Sequence, residues 1–135
     1  MEQEDIELLF KDLSARLHYG LIVSPMDCGK ARLIGCLLEL DLVLLQDIRT
    51  GKYYDKPWEI EYVKPYLRPM SSMTADEMHE YISLKESIVA CDDITYAFET
   101  YKSIDWLNAH HFDYRGLIPK GLALEVTPDN NPYES

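Results

Sequence analysis

"ARLIGCLLELDLVLLQDI", residues 31–48, is the stretch on which the fold class turns. Alternate positions Ile34, Cys36, Leu38, Leu40, Leu42 and Leu44 are all apolar, whereas the intervening register carries Gly35, Glu39 and Asp41. A period of two therefore describes the run better than one of 3.6, and a strand with Ile34 to Leu44 on its apolar face is predicted. Leucine favours helices and no Gly or Pro marks a hairpin, so one bent strand and two strands both satisfy the pattern. The run is too short to span a bilayer and carries Glu39 and Asp41, which makes it core rather than membrane.

Working outward, residues 4–17 place Ile6, Leu9, Phe10, Leu13 and Leu17 at helical spacings, with Glu7, Lys11, Asp12 and Arg16 between them as the polar face of an amphipathic helix. Gly20 allows a turn, "LIVSP" begins an extended region, and "MDCGK" is the next turn. On the other side "WEIEYV" alternates Trp58, Ile60 and Tyr62 against Glu59, Glu61 and Val63, as a half-buried strand does. Pro65 and Pro69 then favour an extended segment that leaves the sheet. Thr74 and Glu77 form a capping box at the start of a helix over 75–86. A further helical stretch begins near Asp92 or Asp93, with a break expected at Ser103.

The chain of 135 residues is the size of one domain, and 47% hydrophobic against 27% charged residues excludes global disorder. A net charge of -11 opposes non-specific binding to a phosphate backbone. Cys28, Cys36 and Cys91 form no CxxC pair and read as reduced thiols. The acidic first residues, Glu2, Glu4, Asp5 and Glu7, oppose a secretory signal, so a cytoplasmic protein is expected.

Chemistry-bearing motifs are sparse. "DCGKA" lacks the leading glycine and the Ser or Thr of a phosphate-binding loop. "HHFDYR", 110–115, offers His110, His111 and Asp113 as candidate metal ligands, yet adjacent histidines diverge on a helix and no HxxxH spacing supports them. Packing of a histidine at a helix end, with Asp113 and Arg115 fixing the next turn, accounts for the same residues. No serine or cysteine stands in a nucleophile setting, so no catalytic residue, no cofactor and no enzymatic activity is assigned. Between 49 and 68, Arg49, Lys52, Lys56, Lys64 and Arg68 are interleaved with Tyr53, Tyr54, Trp58, Tyr62 and Tyr66. Such a window packs across strands or grips a partner.

Two stretches, "KPYLRPMSSMT" at 64–74 and "DWLNAHHFDYRGLIPKGLALEV" at 105–126, resemble a family of uncharacterised proteins of gut bacteria of the Bacteroides group and of their phages and mobile elements. The resemblance implies an accessory setting and supplies no activity or site residue. Because these stretches carry it, they are expected to pack together as a joint of the scaffold.

The reading is an α+β protein: an N-terminal helix, a small antiparallel sheet able to curl into an SH3-like barrel, and a C-terminal helical subdomain. Residues 1–126 form the domain and 127–135 a flexible tail. The expected function is non-catalytic binding of a host or element-encoded protein through Tyr53, Tyr54, Trp58, Tyr62, Tyr66 and Arg68. The alternative is a nucleic-acid role, as a single-strand binder through that window or as an acidic DNA mimic, and a third class is a small metal-dependent enzyme using the turn of His110, His111 and Asp113.

Overall fold

The computed structural model describes residues 1–26, 29–89 and 93–134, with 86–89 and 93–100 described by their backbone only. The expected amphipathic helix is α1, Gln3–Ala15, with Glu4 and Asp5 in its first turn, where the helix dipole favours negative charge. Gly20 takes the left-handed conformation at φ 67° and turns the chain into the sheet. The strands are β1 (Ile22–Pro25), β2 (Ala31–Leu37), β3 (Leu42–Asp47), β4 (Trp58–Glu59), β5 (Val63–Leu67) and β6 (Leu124–Glu125), in spatial order β4-β3-β2-β1-β5-β6. All neighbours are antiparallel except β5 and β6. The sheet is open, ending in β4 and β6, so the expected barrel does not close.

The run 31–48 resolves into two strands, and its buried face is the opposite of the expected one. Ala31, Leu33, Val43 and Leu45 are buried, whereas Leu38 and Leu40 belong to a short 3₁₀ turn and are exposed. Two features produce the inversion. The register shifts between Leu33 and Gly35, and a one-residue shift exchanges the faces of a strand. The turn closes through Asp41 at φ 53°, a conformation that Asp tolerates better than most residues, so no glycine was needed to mark the hairpin. Gly35 sits close to its cross-strand neighbour: a Cβ there would lie 3.0 Å from Leu44 Cδ1, so that side chain would have to move aside.

"WEIEYV" is also corrected. Only Trp58 and Glu59 are strand; Ile60–Tyr62 form a 3₁₀ turn that buries Ile60, and the next strand is Val63–Leu67. Pro65 therefore belongs to the sheet, and the expected exit comes only after Leu67, with Pro69 leading into the turn Met70–Ser72. Pro65 is tolerated because β6 pairs with β5 only at Tyr66 and Leu67, leaving the first half of β5 as an edge on that side.

Helix α2, Ala75–Val89, starts at the expected capping box: the Thr74 amide donates to Glu77 Oε1 at 2.9 Å and the Glu77 amide donates to Thr74 Oγ1 at 3.1 Å. Helix α3 runs unbroken from Asp93 to Ala109. The expected break at Ser103 is absent, and that side chain is buried. The turn at 26–30, Cys28, Cys91 and Asp92 fall wholly or partly outside the described residues. Leu9, Phe10 and Leu13 of α1 pack on Val23, Leu33, Val43 and Leu45 of the sheet, with Leu117 and Leu122 completing the core. No helix among the described residues is long and apolar enough to cross a membrane. Of the segment 127–135, expected as a flexible tail, residues 127–134 are described, and Tyr133 hydrogen-bonds to the body of the sheet.

Candidate functional site

The two stretches singled out in the sequence do meet. Arg68, just past β5, donates its amide to His111 O at 2.8 Å, and the Asp113 amide donates to Arg68 O at 2.8 Å. The Arg68 guanidinium lies 4.2 Å over the Phe112 ring and makes two 2.7 Å bonds to Glu77, one to each carboxylate oxygen. Glu77 thus closes the capping box and pairs with the strand exit. The Arg68 hydrogen bonds, with help from Thr74, hold its carboxyl down at about 2.

The two histidines point different ways. His110 stacks on Trp106 with ring centroids 4.2 Å apart and brings Nδ1 to 3.6 Å from Glu77 Oε2. His111, at φ 62°, stacks on Tyr133 at 3.7 Å. Burial, with nearby cationic groups, pushes the His111 imidazole down to about 4, and its Nδ1 is buried without a partner. The Tyr133 hydroxyl donates to Tyr66 O at 2.7 Å and accepts from the Ile22 amide at 3.1 Å, and burial raises its phenol. Asp113 accepts from the amides of Leu117 and Ile118 at 2.8 and 2.9 Å, so both its oxygens fix the turn. His110, His111 and Asp113 therefore serve three separate structural contacts. Among the described residues no three His, Cys, Asp or Glu side chains gather as metal ligands.

A second charged cluster lies beneath this joint, and here the sequence reading is overturned. Asp12 and Arg16, assigned to the polar face of α1, are both 0% exposed. Arg16 donates Nε and Nη2 to Asp12 at 2.9 and 3.1 Å, and Nη2 also to Phe112 O at 2.6 Å. Arg115 reaches Asp12 Oδ1 at 2.9 Å. Arg16 and Arg115 both face the Tyr114 ring, 5.2 and 4.6 Å from its centroid. The signal was present in the spacing, since Leu9, Asp12, Leu13 and Arg16 recur at three- and four-residue steps on one helical stripe.

The groove bordered by Arg68, Glu77, His110, His111, Asn131 and Tyr133 measures about 410 Å³. Within it the Arg68 guanidinium and the Glu77 carboxylate are paired with each other, while His110 and Glu134 also line it.

The aromatic window does not form one surface. Tyr66 is buried, Arg68 is held in the joint, and Tyr54 and Trp58 meet edge to face at 5.6 Å against the core. Only Tyr53 and Tyr62, 65% and 46% exposed, remain open, Tyr53 bridged to Gln46 of β3. Among the described residues the most exposed large apolar side chains are Leu38 at 71%, Tyr101 at 66%, and Leu40 and Tyr53 at 65%, the two leucines both in the β2–β3 turn. Comparison with protein-family models, curated proteins and solved structures gives no match to the chain.

Proposed function

We propose that the chain is a non-catalytic interaction protein that docks another protein through the β2–β3 turn. One observation carries this reading: Leu38 and Leu40, two residues apart on an ordered turn, are 71% and 65% exposed. Large apolar side chains grouped at the surface mark contact sites more often than scattered single ones do. Tyr53 and Tyr62 are the members of the expected aromatic set still accessible to such a partner. Arg68, Glu77, Asp12 and Asp113 are each bonded to groups of the scaffold, which supports a structural rather than catalytic use. The strand-binding alternative needs Tyr66 and Arg68 on an open surface, and both are engaged. The resemblance of residues 64–74 and 105–126 supports a phage or mobile-element accessory setting, with a host or element-encoded partner.

The test is affinity purification of the tagged chain and of its Leu38→Ser/Leu40→Ser variant from lysate of a gut bacterium of this group, with and without nuclease. A stoichiometric protein that resists nuclease and is lost with the variant is the expected result. Capture unchanged by the two substitutions, or recovery of nucleic acid in place of protein, refutes the reading.

A further inference from the structure

Beside the exposed turn lies a second groove, of about 270 Å³, between α1 and the β4 edge of the sheet. Its apolar lining comes from Ile6, Leu40, Leu42 and Ile60, contributed by three separate parts of the chain. The Ile60 amide donates to Asp41 O at 3.0 Å, which ties the exit of β4 to the start of β3 and fixes the groove's floor. Asp41, Glu59 and Glu61 complete the lining, and among the described residues no Lys, Arg or His joins them. Glu59 and Glu61 are exposed, and Glu2 and Glu4 lie exposed at the start of the helix that supplies Ile6.

From this arrangement we propose that the groove takes a short segment of a partner protein in which an apolar side chain is flanked by Lys or Arg. The inference rests on the interaction reading above and names the chemistry of the partner. Charge decides among occupants. Three carboxylates at the rim repel the phosphates of a nucleic acid or of an anionic lipid surface, while they attract cationic side chains and raise the rate of encounter. Size points the same way. The groove falls short of the roughly 300–1,000 Å³ pockets that enclose small molecules. A second copy of this chain, at a net charge of -11, brings repulsion rather than complementarity to the same rim.

The experiment is methyl NMR of the full chain, labelled at Ile and Leu, titrated with three synthetic hexapeptides alternating Leu–Lys, Leu–Glu and Ser–Lys. The Leu–Lys peptide is expected to shift the methyls of Ile6, Leu40 and Leu42, and to weaken as salt screens the rim. In the Glu59→Lys/Glu61→Lys variant its affinity falls by roughly tenfold or more, and the Leu–Glu peptide gains the site. Both substituted residues are exposed, so the fold of the variant is retained. Equal binding of the Leu–Lys peptide to both forms, shifts at other methyls, stronger binding of Ser–Lys, or no shift at all overturns the proposal. Any of these with partner capture still lost in the Leu38→Ser/Leu40→Ser variant refutes only the chemistry of the occupant; unchanged capture refutes the interaction reading itself.

Discussion

Asp12 to Asn is the substitution that most directly tests how the scaffold is held together. In the native protein the Asp12 carboxylate is the only anion bonded to Arg16 among the described residues, and it also holds Arg115. Replacing it leaves the Arg16 guanidinium with neither solvent nor counter-charge, since that residue is 0% exposed. Removing one partner of a buried pair costs about 3–5 kcal/mol, against a total stability of roughly 5–15 kcal/mol for a domain. With a urea m-value of about 1–3 kcal/mol/M, the unfolding midpoint falls by about 2 M. The paired substitution Asp12→Leu/Arg16→Met removes the charge with its partner. Phe112 O then loses the Arg16 donor at 2.6 Å but keeps the Tyr114 amide at 3.2 Å, and Arg115, which is partly exposed, loses its carboxylate; these losses of about 1–3 kcal/mol fall short of an unpaired buried charge, so the double variant is expected to be more stable than Asp12→Asn. Urea denaturation followed by tryptophan fluorescence, with m constant across the series, reads both effects. A midpoint for Asp12→Asn within about 0.5 M of the native protein, or a double variant less stable than the single one, refutes the reasoning.

Three further outcomes follow from other contacts. His111 is held at about 4 against an ordinary 6.5, so the fold favours its neutral form. Its contribution is complete above pH 6.5 and is lost as pH falls toward 4, by up to about 3 kcal/mol; the slope of stability over that interval should flatten in His111→Phe, and an unchanged slope would contradict the assignment. Tyr133→Phe removes the hydroxyl that accepts from the Ile22 amide and donates to Tyr66 O, at a cost of about 1–3 kcal/mol, and hydrogen exchange at the Ile22 amide should accelerate while that of Leu45 changes only with global stability. Gly35→Val forces a branched side chain onto Leu44 at the register shift, and a loss of about 1–3 kcal/mol in thermal or urea unfolding is expected.

How far the sequence could be read depended on how local each determinant is. The amphipathic helix, the turn at Gly20 and the Thr74–Glu77 capping box are written within a few residues of one another, and each forms where expected. The face of the β2–β3 hairpin was not legible because its turn is built of leucines and closed by Asp41, while the register shifts at Ile34, between Leu33 and Gly35, within an otherwise regular alternation. Burial of Asp12 and Arg16 could have been inferred from their place on the leucine stripe of α1, had charge not been equated with exposure. The partners that make that burial tolerable, Phe112 O and Arg115, lie 96 and 103 residues away from Arg16 and Asp12, and no local pattern announces them. The His111–Tyr133 stack joins residues closer in sequence but is likewise announced by no local pattern, and the two stretches forming the joint with Arg68 were marked by resemblance rather than by chemistry.

The cluster under the joint also sets an order of assembly. While the polypeptide is being made, α1 can coil early, but its Asp12–Arg16 pair has no reason to leave water until Phe112 and Arg115 have emerged. The β1–β5 ladder likewise acquires its Tyr133 clasp only after a further stretch of synthesis, 111 residues beyond Ile22. A nascent chain carrying helix and sheet alone would keep its apolar stripe exposed beside an unburied charge, a state that is open to capture and slow to commit. Completion of the fold is therefore expected in a late step in which distant parts of the chain close on each other, and a chain halted before residue 112 should be recovered as a chaperone client rather than as a stable half.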